Sequence, residues 1–369
     1  MLKLQKDYPR ESAGRNGRVI LVLFFLSVLF YALAQIIPNR SAAALKRDMI
    51  EASQIMAEAT DTLKECRRVL GLRTDLESDI NDTGLIGVDQ SVITTSVGLL
   101  EAKRTSVNPN FAGLIVKLLH ACGVKRGDAI AVGASGSFPA LIVAALSAAK
   151  ALEVQPLVIS SLGASQWGAN DPYFHWLKMS DCLAEHGAIS MQPIVVTLGG
   201  ERDTGEDMDE RGRTLLLEEI RKSGILFLSE PDLMENVRLR MNIYKQEAGE
   251  RPIKAFVNVG GSWANMGTDS SILRLKPGLN KIGSLPALEN RGMISAMAAE
   301  NIPVIHLLFV RGLARDYGLP WDPVPLPGPG EGALYKSLKE KQASFLFLAV
   351  LYLALILLVI IFRKRALFV

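Results

Sequence analysis

The run Gly133-Ala134-Ser135-Gly136-Ser137 closes a short apolar stretch and is followed at once by Phe138-Pro139 and an apolar pattern to Leu152. A serine at such a strand-to-helix turn can be a nucleophile, part of an anion-binding turn, or only a tight connection. A nucleophile elbow requires G-x-S-x-G, because glycine on both sides relieves the strained turn and clears room for substrate. Ser137 stands where the last glycine belongs. A serine nucleophile also needs a base. His120 closes the helix pattern FAGLIVKLLH, and His306 lies inside an apolar strand pattern. Of the remaining His175 and His186, His175, beside Asp171 and Asp181, is the candidate partner for Ser135. The same turn lacks the spacing of G-x-G-x-x-G, which disfavours a dinucleotide. Its other functional reading is capture of a carboxylate or phosphate by Gly133, Ser135, Gly136, Ser137 and the N–H groups that open the helix. Gly/Ser turns recur at residues 160–165, at Gly199-Gly200 and at Gly260-Gly261, each after an apolar run.

A second concentration of polar groups lies upstream. Asp89, Thr94, Thr95, Lys103, Arg104, Ser106 and Asn108 fall within twenty residues. Lys103 as a point charge and Arg104 as a bidentate fork are suited to gripping carboxylates; a solvated loop with capping hydroxyls is the alternative. The acidic run 201–210 reads as a helix start favoured by the dipole rather than as a calcium loop. Cys66, Cys122 and Cys182 are too few and too scattered for a zinc site or a disulfide framework. At most one disulfide fits, and buried thiols are the simpler expectation. No G-x-x-x-x-G-K-[ST] loop occurs, so the expectation is no cofactor and no metal.

The elements that would position these residues follow from the apolar pattern. Residues 19–37 and 344–362 are uncharged apolar runs, each near the ~20 residues a helix needs to cross the ~30 Å hydrocarbon core. Ile36-Ile37 continue the first run beyond Ala32-Leu33-Ala34, where a signal peptidase would cut, so it reads as an uncleaved anchor; cleavage before Gln35 is the alternative. Five basic residues against two acidic ones precede the first run, and Arg363-Lys364-Arg365 follow the second. The positive-inside rule then makes 1–18 and 363–369 cytoplasmic tails and puts the centre outside, in a two-span protein of the cell membrane. Residues 38–75 carry Met49, Ala52, Met56, Ala59, Leu63 and Cys66 at helical spacing, an amphipathic membrane-proximal helix. Residues 76–320 alternate Val- and Ile-rich runs with helical stretches. This predicts an α/β domain, a mostly parallel Rossmann-like sheet with helices on both faces and ligand-facing loops at the strand ends. Residues 321–343, beginning within the run LPWDPVPLPGPGEG at 319–332, read as a linker and basic segment returning to the membrane. The net charge of +3 on 369 residues argues against nucleic acid as partner.

The stretch from Gly84 to Leu141, GLIGVDQSVITTSVGLLEAKRTSVNPNF and onward through GASGSFPAL, resembles the poly-gamma-glutamate system protein family, as does the placing of one apolar span at each end. The resemblance implies a membrane protein acting with the synthase and export subunits of a capsule-like, cell-surface polymer of γ-linked glutamate. It carries over no catalytic residues. Two functions stay open: an accessory subunit that binds the anionic polymer or its membrane partners, and an extracytoplasmic hydrolase or transferase that trims, releases or attaches it through Ser135 and His175.

Overall fold

A computed structural model describes residues 11–36, 40–336 and 349–358. The chain divides into two compact units, one made of its ends, Met1–Ala44 with Leu338–Val369, and the other of Leu45–Ser337.

In the first unit, α1 (Glu11–Ile36) and a helical stretch at 349–358 are described. Ser27 of α1 shares a hydrogen bond with the Tyr352 hydroxyl, and the Phe30 ring lies 5.4 Å from that of Tyr352. Ile20, Phe24, Phe25 and Tyr31 of α1 are exposed. Among the described residues no helix is long and apolar enough to cross a membrane. Much of the second expected span, and both expected cytoplasmic tails apart from 11–18, lie outside the described residues.

The second unit begins with most of α2 (Arg40–Val69). Its expected stripe is realised: Met49, Ala52, Met56, Ala59 and Leu63 are fully buried. Cys66 bonds to Cys182 in a disulfide, Arg67 pairs with Asp171 at 3.0 Å, and Ser53 Oγ lies 2.8 Å from the Tyr335 hydroxyl. The stripe thus packs on the domain. The expectation of buried thiols at Cys66 and Cys182 is corrected by that disulfide, because α2 and the helix carrying Cys182 are packed side by side.

Next come β1 (Thr94–Ser96), α3 (Leu100–Ser106), α4 (Asn110–Ala121), β2 (Ala129–Ser135), α5 (Pro139–Leu152), β3 (Gln155–Ser161) and β4 (Ala164–Ser165). They are followed by α6 (Trp176–Glu185), β5 (Val195–Thr197), α7 (Glu210–Ser223), β6 (Leu226–Phe227), α8 (Leu233–Ala248), β7 (Ile253–Val259) and α9 (Trp263–Met266). The remainder is β8 (Gly278–Asn280), α10 (Met293–Ala299), β9 (Val304–His306) and α11 (Val310–Tyr317).

Seven strands form one sheet in the order β6-β5-β3-β2-β7-β9-β8, parallel throughout except for β8 against β9. Every residue of β2 is buried, as expected of a central parallel strand covered on both faces. From β2 the chain winds outward through β3, β5 and β6, then returns to lay β7 on the other side of β2. The direction of winding reverses between β2 and β7, and open α/β sheets bind ligands outside the strand ends at such a point. A separate parallel pair, β1 with β4, brings Thr94 beside Ala164 and Ser96 beside Ser165, above the same edge of the fold.

The proline-rich segment after residue 320 behaves differently from a free spacer. Asp322 pairs with Arg104, Asn110 Nδ2 donates to the Gly328 carbonyl at 3.0 Å, and Leu334 and Tyr335 are buried. Prolines exclude regular structure there, yet the Asp322 carboxylate finds a partner on α3, the Gly328 carbonyl one on α4, and the Pro323 carbonyl accepts from Asn81 Nδ2 at 2.9 Å.

Candidate functional site

At the reversal point a cleft of about 940 Å³ opens. Ser135, Ser137 and Phe138 line it from the turn after β2, Ser161 and Ser165 from the end of β3 and from β4, and Gly261, Ser262 and Trp263 from the turn after β7. Close approach of these turns needs glycine at particular places. Gly260 has φ +83°, and a Cβ there would stand 2.9 Å from Ser135 Cβ, so both conformation and space require it.

Lys103 enters this cleft from α3. It is 2% exposed. Its Nζ lies 2.7 Å from Ser165 Oγ, bonds to the Ser137 carbonyl, and sits 3.9 Å from the centre of the Phe138 ring. The ring and the two oxygens favour the ammonium, whereas burial favours the neutral amine. Burial dominates and pushes the amine down to about 7. At neutral pH a large fraction of Lys103 is then unprotonated, the form that can take a proton from a hydroxyl.

Ser165 is held from both sides. It pairs with Ser96 through the β1–β4 register, and its N–H donates to Ser137 Oγ at 2.9 Å. The Ser137 N–H in turn donates to Ser135 Oγ at 3.3 Å. A serine whose oxygen touches a base of matched pKa is the essential pair of nucleophilic acyl transfer, here with lysine in the place of histidine. Ser137, half-buried on the cleft wall, keeps its own hydroxyl hydrogen unpaired among the described residues and can donate it to a developing oxyanion.

The residues expected from sequence separate into two groups. Thr95, Lys103, Ser135, Ser137 and Gly261 line the cleft, with Gly260 beneath Ser135. Gly133 supports the fold under Asn265, whose side-chain amide leaves no room for a Cβ there. The others serve local structure. Asp89 accepts from Gln166 Nε2 at 2.8 Å. Thr94 Oγ1 accepts from the Ser91 N–H and from Asn170 Nδ2, both at 2.9 Å. Ser106 Oγ donates to the Lys103 carbonyl at 2.7 Å, and Asn108 Oδ1 caps the turn into α4 by accepting the Asn110 N–H at 3.0 Å. Arg104 is bidentate to Asp322, with Nε 2.7 Å from Oδ1. Lys103 and Arg104 therefore do not act together as a carboxylate grip: one amine is buried and the guanidinium is already paired.

Two further expectations are altered by the geometry. The Gly136 N–H donates to the Ser161 carbonyl, the Ser137 N–H to Ser135 Oγ and the Phe138 N–H to the Ser135 carbonyl. None of these three groups is left for an anion. His175 is fully buried at the start of α6, neither ring nitrogen has a hydrogen-bond partner among the described residues, and burial lowers it to about 4. It is not part of the cleft lining, and its neighbour Asp171 is engaged by Arg67. Ser135 and His175 do not form a dyad, because the turn after β2 and the start of α6 face different surroundings.

Ser165 is the residue that sequence reasoning passed over. It stands in the Gly/Ser turn 160–165, but nothing local ties it to Lys103, 62 positions away. Among the described residues the one cluster with metal-ligand proximity is Cys66, Cys182 and His186, and its two sulfurs are consumed by the disulfide.

Comparison with family models, with characterised proteins and with solved structures finds no match to this chain.

Proposed function

We propose that the chain is a membrane-tethered, extracytoplasmic acyl hydrolase or transferase in which Ser165 is the nucleophile and Lys103 its base. The observation that carries the reading is the 2.7 Å approach of Lys103 Nζ to Ser165 Oγ inside a cleft at the sheet's reversal point. In the reaction, neutral Lys103 takes the hydroxyl proton as Ser165 Oγ bonds to the substrate carbonyl carbon. The resulting oxyanion is met by the Ser137 hydroxyl. On collapse the carbonyl–heteroatom bond breaks, and the Lys103 ammonium returns the proton to the leaving group. Water, or an acceptor hydroxyl or amine, then cleaves the acyl-enzyme by the reverse proton route.

Tethering is supported by the apolar runs at both ends and by exposed Ile20, Phe24, Phe25 and Tyr31 on α1, side chains that need an apolar surround. The Cys66–Cys182 disulfide supports a site outside the reducing cytoplasm. In the poly-γ-glutamate machinery that the sequence resembles, such a chain works in company with the synthase and export subunits, its acyl substrate being distinct from the polymer itself.

A second reading is favoured by the bond from the same amine to the Ser137 carbonyl. Lys103 then staples the turns after β2 and β3, and the domain is a non-catalytic accessory subunit that binds the polymer or its membrane partners. Turnover of p-nitrophenyl acetate by the full-length chain in detergent separates the two. Acyl transfer requires a rate above background that falls at least 1000-fold in Ser165→Ala. Background turnover, identical in that variant, leaves the accessory role.

A further inference from the structure

We infer that the cleft accepts an aliphatic acyl chain, making the substrate class an amphiphilic ester, thioester or amide whose hydrocarbon lies beside the carbonyl attacked by Ser165. The inference rests on the reading of Lys103 and Ser165 as base and nucleophile. Four large apolar side chains that line the cleft are turned to solvent: Val97 at 85%, Leu99 at 55%, Leu273 at 75% and Phe309 at 53% exposed. They come from three separate segments, the connection into α3, the 3-10 turn Ser270–Arg274 and the connection from β9 to α11. Single exposed apolar residues are ordinary, but their convergence around one opening marks a binding surface. Leu99 stands one helical turn before Lys103, its carbonyl accepting the Lys103 backbone N–H at 3.2 Å.

Charge decides what covers it. Asp207 and Asp269 line the same cleft, each fixed in place by a backbone N–H, from Glu201 at 3.0 Å and from Ser271 at 2.8 Å. Arg311, the exposed cation of the lining, lies 5.3 Å from the centre of the Trp321 ring. The cations they face are one stacked guanidinium and the Lys103 amine, which is buried and engaged with Ser165 and the Ser137 carbonyl, so the two carboxylates oppose a chain with a carboxylate on every residue. A hydrocarbon meets no such opposition and buries the apolar rim. In the step itself the Ser165 proton passes to Lys103 as Oγ bonds to the acyl carbon, the carbon–heteroatom bond breaks with the leaving group taking that proton, and water then hydrolyses the Ser165 ester to release the carboxylic acid.

The test is a chain-length series, p-nitrophenyl acetate through octanoate, with γ-glutamyl-p-nitroanilide as the acidic comparison, on the full-length chain in nanodiscs. The expected result is a rise in kcat/KM of about fourfold per methylene. Leu273→Asp combined with Phe309→Asp then lowers the octanoate-to-acetate ratio at least tenfold. Acetate turnover that depends on Ser165 but is flat with chain length overturns the acyl-chain inference while leaving the catalytic reading intact, as does preference for the γ-glutamyl anilide. Absence of turnover for every substrate overturns both.

Discussion

Lys103 and Ser165 meet at 2.7 Å although they come from different elements, a short helix and a two-residue strand, each fixed by its own contacts. Lys103 lies in the cleft wall rather than on the surface, and the desolvation that brings its amine to about 7 is what turns an ordinary cation into a base.

The pH dependence follows from the direction of that shift. The active form is the neutral amine, so kcat/KM should rise from about pH 6 to pH 8 with an apparent midpoint near 7. Lys103→Met should lower kcat at least 100-fold and remove the rise. Lys103→Arg should not restore it, since a guanidinium does not deprotonate in this range. A pH–rate profile in buffers of constant ionic strength measures both.

Arg104 should prove structural. Its pairing with Asp322 is mostly shielded from solvent, and the Asp322 N–H also donates to Thr105 Oγ1 at 2.8 Å. Arg104→Ala leaves a carboxylate without its partner and should lower stability by about 2–3 kcal/mol. Any binding of poly-γ-glutamate should keep the salt dependence of the parent chain. Chemical denaturation and binding titrations at two ionic strengths check the two halves of this expectation.

The α/β class and the mostly parallel sheet were legible because strand runs such as AIAVGAS and IKAFVNV are largely apolar, alternate with helical stretches and end in Gly/Ser turns. The α2 stripe was legible from spacing alone. The cleft was half legible. Polar density marked Lys103, Ser135 and Ser137, but not their burial, and periodicity does not register that Arg104 and Asp322 will meet across 218 positions. Ser165 escaped because its pairing depends on β1 and β4, strands of three and two residues that leave no alternating pattern. His175 misled for a similar reason. A histidine between two acids reads as a base, whereas the fold commits Asp171 to Arg67 and seals the ring in the core.

Removing the disulfide should destabilise the domain independently of the cleft. Cys66 and Cys182 close a loop of sequence separation 116, and α2 is also held by its apolar stripe, the Arg67–Asp171 and Lys64–Asp82 pairs and the Ser53–Tyr335 hydrogen bond. Cys66→Ser with Cys182→Ser should cost about 2–4 kcal/mol. Thermal unfolding of the parent chain with and without reductant should reproduce the loss.

Acid should unfold the domain through its buried histidines. His175 and His306 are both lowered by burial to about 4, so the unfolded chain binds their protons first as pH falls. Their contribution is present above the ordinary histidine value of about 6.5 and is lost progressively as pH drops towards 4, up to about 3 kcal/mol for fully buried His175. Replacing His175 by Gln should flatten the stability profile between pH 6.5 and 4, read from denaturation midpoints.

The assignment of Ser165 is tested most directly by treating the full-length chain with a fluorophosphonate at pH 8 and locating the adduct by peptide mass spectrometry. The expected result is one adduct on Ser165, formed far more slowly in Lys103→Met. An adduct on Ser135 or elsewhere, or no adduct under conditions where the chain is folded, would contradict it.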